Sequence, residues 1–262
     1  MSARILVEHL YARRAGLGHF APMPTTTTFL TLSTQSSQAS NAVWVPPSDT
    51  IASRRPPAKS RGYCRGFVVD HDANRVLVYE SSLERDFACM LMADRRIAHI
   101  HDQPPAVTFR TPEGKPQRHT FDFLVTTTDN RRLAFAVKPS TRVERSKIEE
   151  TLSLIREQVG VSFADRFLLR TEQHITKDRA YNARCILRAR RARNEEDVEA
   201  LRQIASSLNG AIRIADLVSL SKLGARGLNA VICLVDDGVL DVINHQRLGD
   251  LAFLRVAASS FH

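Results

Sequence analysis

Cysteine is scarce in this sequence and widely scattered. Cys64, Cys89, Cys185 and Cys233 form no CxxC pair. That spacing argues against a zinc knuckle and against a disulfide framework, and the four read as core or surface thiols in a reducing compartment. No apolar run approaches the roughly 18 residues needed to span a bilayer. The opening MSARILVEHLYARRAG breaks its apolar run at Glu8 and His9, so a secretory leader is not expected. No glycine-rich loop of the phosphate-cradling kind is present. The histidines show no ligand spacing, and His99 and His101, which flank Ile100, read as packing or surface groups. Acid is also in deficit: 37 Lys and Arg stand against 28 Asp and Glu, a net charge of +9. These absences leave a cytoplasmic protein with no membrane partner, nucleoid-associated when bound to a polyanion such as nucleic acid.

The 262 residues suit one large or two small domains, and 43% are hydrophobic, enough for ordinary cores. Residues 1–60 combine a threonine run at Thr25–Thr28, a Ser/Gln-rich stretch at Ser33–Ser40, and Pro46, Pro47, Pro56 and Pro57. Such a segment buries too little apolar surface to offset its ordering entropy, and it reads as a disordered tail or linker. Its end carries Arg54, Arg55, Lys59, Arg61 and Arg65, which suit either a solvated linker or an arm on DNA phosphates.

Residues 61–190 read as a mixed α/β domain. Phe67–Asp70 and Val76–Tyr79 suit a hairpin, and Ser81–Ala93 a helix with Leu83, Phe87, Met90 and Leu91 at helical spacing. Strands are expected at Ile97–His101, Val107–Phe109, His119–Thr126, Leu133–Lys138 and Phe167–Leu169. A single helix is expected over Val143–Val159. Alternation places Phe121, Phe123 and Val125 on one face of their strand and Asp122 on the other. Three groups stand out: Glu84 at the helix start, Asp122 within a strand, and Lys138 at the end of the next. Two carboxylates and a lysine can hold a divalent cation beside a phosphodiester. Each also has a plainer explanation. Ser81 with Glu84 is a capping box, and Asp122 with Lys138 can be a structural ion pair.

Several phrases together resemble the TnsA endonuclease subunit of heteromeric cut-and-paste transposases: ESSLERDF, HDQPPAVTF, the FDFLV strand and the VKPS ending. The resemblance covers residues 62–190, including the Phe167–Arg190 stretch. It implies a restriction-endonuclease-like fold, a central sheet flanked by helices. It implies a Mg²⁺ site, with Mn²⁺ as substitute, in which Glu84, Asp122 and the backbone carbonyl of Val137 bind metal and Lys138 assists. Gln103 is expected in a structural or DNA-facing place, and Glu144 or Glu149 of the following helix is expected to support the site where Ala136 supplies no ligand. It further implies transposon-end DNA as substrate, a DDE-type transposase subunit that cuts the other strand, and an ATPase regulator. The chain departs from the family pattern at Phe121, where a proline is usual, and at Ala136, where Glu, Asp or Gln is usual. Ala136 leaves a second reading open, a non-cutting adaptor that binds DNA and partners. A stand-alone repair or restriction nuclease is a third.

Residues 191–262 suggest a small winged-helix-like α domain. Asn194 caps a helix carrying Val198, Leu201 and Ile204. Further helices surround Ile214–Leu217 and Ala225–Leu234, and Val239–Ile243 suits a wing strand. In a DNA-reading version, Lys222, Arg226 and Asn229 face the duplex, with Arg188 and Arg191 on phosphates. In a docking version the same unit binds the transposition machinery.

Overall fold

The computed structural model describes residues 44–54 and 64–257. Expectations for 1–43, 55–63 and 258–262 lie outside the described residues, and so does most of the expected tail. Val45–His262 is one compact unit; of the other, Met1–Trp44, only Trp44 is described. Ser48–Arg54, part of the segment expected to be disordered, is hydrogen-bonded along the domain. Ser48 bridges to Arg75, Thr50 Oγ1 donates to Asp102 at 2.5 Å, and the Ser53 amide donates to the Gln103 carbonyl at 2.9 Å.

The expected first hairpin is present as β1 (Gly66–Asp70) and β2 (Arg75–Tyr79). Its turn is held by the Asp70 carboxylate, which accepts from the Asp72 and Ala73 amides. Then comes α1 (Ser82–Ala93), followed by β3 (Ile97–Asp102). A separate hairpin of β4 (Val107–Arg110) and β5 (Pro116–His119) interrupts the sheet strands. The central sheet has the order β3–β6–β7–β8, with β6 (Phe123–Thr127) antiparallel to both neighbours. The strand β8 (Arg166–Arg170) runs parallel to β7 (Arg132–Val137). Helices α2 (Ser140–Ser146), α3 (Ile148–Gln158) and α4 (Lys177–Arg191) complete a mixed α/β domain.

Alternation along β7 divides the domain into two cores. Phe135 and Val137 join Phe87, Leu91, Phe123 and Val125 on the side of α1 and α4. Ala134 and Ala136 join Phe121, Ile148, Leu152 and Phe167 on the side of α3. Two sequence expectations are corrected here. The run His119–Thr126 is not one strand: it ends at His119 and resumes at Phe123. Phe121 therefore packs in the α3-side core and Phe123 in the other, where simple alternation put both on one face. The helix expected over Val143–Val159 also breaks. Lys147 adopts the left-handed conformation at φ 50° and divides α2 from α3, with no glycine to announce it.

The remainder contains α5 (Glu195–Ser206), β9 (Ala211–Arg213), α6 (Ile214–Ser221), α7 (Ala225–Asp236), β10 (Leu240–Val242) and β11 (Phe253–Val256). The three strands pair antiparallel in the order β10–β11–β9, of which β10 falls on the expected wing strand and β9 and β11 were not anticipated. Their core holds Leu201, Ile214, Leu217, Val231, Leu234 and Leu254. Helix α4 serves two cores at once: Ala183 packs on the α1 side, Cys185 and Ala189 on this one.

Candidate active site

Glu84 sits in the first turn of α1 because Ser81 starts that helix. The Ser81 hydroxyl accepts from the Glu84 amide at 3.1 Å and donates to the Glu84 carboxylate at 2.9 Å. The Glu80 amide donates to the second carboxylate oxygen at 2.6 Å. The Ser81 cap expected from sequence is therefore formed, with the Glu84 carboxylate reaching back to the Ser81 hydroxyl and the Glu80 amide, and these bonds fix the buried carboxylate in place. Burial raises the Glu84 pKa, while these hydrogen bonds and the charge of Lys138 oppose the rise.

Asp122 lies at the irregular entry to β6, where its amide donates to the Phe135 carbonyl at 2.9 Å. Its Oδ2 accepts from the Val137 amide at 2.6 Å. Burial and the nearby Glu84 carboxylate push its pKa up to about 7, against the pull of the Val137 amide and Lys138. The Glu84 carboxylate raises the Asp122 pKa and Lys138 pulls both down, so the three groups form one electrostatic cluster. The structure thus brings together Glu84, Asp122 and Lys138 from α1, β6 and the end of β7. Val137 meets the cluster through its amide N–H, whereas the sequence reading assigned its carbonyl.

Ala136 is wholly buried in the α3-side core. Glu144 and Glu149 are exposed on α2 and α3. Gln103 is 2% exposed, with a left-handed φ of 42°. Its amide donates to the Asp122 carbonyl at 2.9 Å, and its Oε1 accepts from Arg54 Nε at 3.1 Å. Its role next to Asp122 is thus anchored in backbone geometry.

Three neighbours escaped the sequence reading. Glu80 adds negative charge near both Glu84 and Asp122 and pairs with Arg54 at 3.4 Å. Its signal was its place one turn before Glu84. Arg54 had been read only as part of a basic run. His119 stacks edge-on against Phe121 at 4.7 Å, and its Nε2 is buried without a partner. Burial, and secondarily Lys138, lower its pKa to about 4, so it is neutral at physiological pH.

Among the described residues no three His, Cys, Asp or Glu side chains gather as a metal-binding group. The pair Glu84 and Asp122 nevertheless fits a hard divalent cation. Magnesium commonly takes one or two carboxylates and fills the rest with water, and the mutual repulsion seen here is what a cation relieves.

Residues 94–181 match the family model described as TnsA-like endonuclease N terminal. That stretch of the domain is TnsA-like. The match contains Gln103, Asp122 and Lys138, and Glu84 precedes it on α1. No curated protein matches the chain. The TnsA-like domain is built as a mixed sheet flanked by helices, in keeping with a restriction-endonuclease-like fold.

The candidate DNA-facing residues of the last third are dispersed. Asn229 spends its amide on the Ala192 and Ala189 carbonyls, at 2.8 and 3.4 Å, closing the end of α4. Arg226 is exposed and 3.5 Å from Asp197, and Lys222 is an exposed left-handed cap on α6. Arg188 bonds the Arg184 carbonyl, and Arg191 meets His71 at 3.0 Å.

Proposed function

We propose that this TnsA-like chain is a magnesium-dependent DNA endonuclease subunit of a heteromeric transposase, hydrolysing the phosphodiester at transposon 5′ ends. A DDE-type transposase subunit would process the other strand, and an ATPase regulator would act on both. The observation that carries this reading is the charge cluster of Glu84, Asp122 and Lys138 in and beside the TnsA-like stretch. Glu84 and Asp122 would hold Mg²⁺, or Mn²⁺ in its place. The bound ion would supply Lewis-acid stabilisation and a lowered water pKa. The protein's part is to present the charges. Ser81 and the Glu80 amide hold the Glu84 carboxylate, and the Val137 amide orients Asp122. The Lys138 ammonium would offset charge that builds on the phosphate as water oxygen bonds to phosphorus and a P–O ester bond breaks.

The helix–strand–helix–helix–strand–strand order of the last third supports a winged-helix reading of that part. Its third helix, α7, is packed against α4 and spends Asn229 there, which favours docking to partners over reading of bases. Ala136 favours the second reading, an adaptor that binds DNA and partners without cutting. Nicking of transposon-end DNA by the wild type with its cognate transposase, Asp122→Ala and Lys138→Ala, in Mg²⁺ or Mn²⁺, separates the two. Loss of 5′ nicking with complexes retained supports the nuclease. Equal nicking in all three removes it, and transposition surviving both substitutions favours the adaptor.

A further inference from the structure

A second feature lies on the other face of the sheet from Ala136. The first residues of α4, the side of α1 that carries Phe87, Met90 and Leu91, and strands β7 and β8 line a cleft of about 810 Å³. Five arginines line it against two aspartates. Both aspartates are already committed: Asp94 pairs with Arg96 at 2.7 Å and Asp129 with Arg131. Arg166, Arg170 and Arg179 form no ion pair with a described carboxylate. Arg166 and Arg170 project from the same face of β8, two residues on either side of Leu168. Arg170 is half-buried, with its guanidinium 5.2 Å from the centre of the Phe135 ring. Burial, and then the charges of Arg179 and Arg166, lower its pKa. Arg179 is held in place by donating to the His174 carbonyl at 2.9 Å.

Two arginines that crowd a half-buried third without a counter-charge are unfavourable, and an anion relieves that crowding. The floor between them is apolar: Met90, Leu133 and Leu168 are partly exposed there. A planar ring can cover such a floor while its phosphate meets the arginines. A DNA duplex keeps its base faces stacked inside and would leave the floor bare. Unpaired strands present both groups together, which is how basic grooves with apolar platforms hold them.

We propose that this cleft binds an unpaired DNA strand, with its phosphates on Arg166, Arg170 and Arg179 and a base on the Met90–Leu133–Leu168 floor. The site is separate from the carboxylate cluster, and it stands whether or not that cluster cleaves DNA.

The test uses the full chain and a fluorescent oligothymidylate, with affinity followed by anisotropy across a salt series. The variant Arg166→Gln/Arg179→Gln changes only exposed side chains, and its melting temperature is measured alongside to confirm folding. Each lost phosphate contact should lower the slope of log affinity against log salt by about 0.7, so the double variant should lose about 1.4. Its affinity should fall at least tenfold at moderate salt. Leu168→Asn should weaken oligothymidylate binding while leaving inorganic pyrophosphate competition unchanged. An unchanged salt slope in the folded double variant would overturn the proposal. Polyglutamate competing as well as the oligonucleotide, or duplex binding just as tightly and equally sensitive to Leu168→Asn, would overturn it too.

Discussion

Asp122 is the residue on which the proposed chemistry turns. Its folded pKa of about 7 stands above its ordinary value of 3.8. The folded protein therefore holds a proton that the unfolded chain has released between roughly pH 4 and 7. Stability falls as pH rises through that window and stays reduced above it. Asp122→Asn should remove this dependence and raise stability at pH 8 by on the order of 1–3 kcal/mol; urea melts of both proteins at pH 4.5, 6 and 8 check it. Cation binding requires the ionised form, so Mg²⁺ or Mn²⁺ should raise the wild-type melting temperature more at pH 8 than at pH 6. Calorimetry on Asp122→Asn should show no such effect. Ala136 behaves differently. It is fully buried among apolar groups, so Ala136→Gln should overpack its core and cost about 1–3 kcal/mol. A variant as stable as wild type, by thermal melt, would show that the position opens on the site instead.

At the scale of elements, two connections matter most. The first is the segment Ser48–Arg54, which lies along β2 and β3. Asp102 is wholly buried, and its Oδ2 accepts from Thr50 Oγ1 and from the Val78 amide at 2.8 Å; its other oxygen has no partner. Thr50→Val removes one of two donors from a buried carboxylate and should cost about 1–3 kcal/mol, read by denaturant unfolding. The second is the cap of α1. Ser81→Ala should cost about 1 kcal/mol and free the Glu84 carboxylate from one of its two donors. The α1 helix, the hairpin and the central strands were legible from apolar spacing and turn residues. The break at residues 120–122 was not, because Thr120 and Phe121 suit a strand, Asp122 alone is a weak breaker, and only packing divides Phe121 from Phe123. The break at Lys147 was equally silent in the sequence.

Across the molecule, α4 joins the TnsA-like domain to the last third. Arg190 is central to that joint: it donates to the Met92 and Ala93 carbonyls, at 2.9 and 2.8 Å, and pairs with Asp236 at 2.8 Å. The Asp236 side chain is 2% exposed and also meets Arg95 at 2.6 Å. Asp237 adds Arg193 and Arg202 to the network. Removing one partner of a buried pair leaves the other charge desolvated, so Asp236→Ala should cost about 3–5 kcal/mol. Glu199→Ala, at an exposed pair with Arg202, should cost less than about 1 kcal/mol. Thermal melts of the two variants side by side test the contrast. The same joint commits Arg95, Arg190, Arg193 and Arg202, part of the chain's positive excess, to carboxylates.

The sequence by itself determined the mixed α/β class, the three chemical groups at Glu84, Asp122 and Lys138, and the basic charge, because apolar periodicity, capping chemistry and residue type are local properties. Which carboxylates share a field, which arginines are spent on aspartates and which remain unpaired in a cleft were decided only by the tertiary structure. Those properties depend on distances between segments far apart in the chain, and no local pattern encodes such distances.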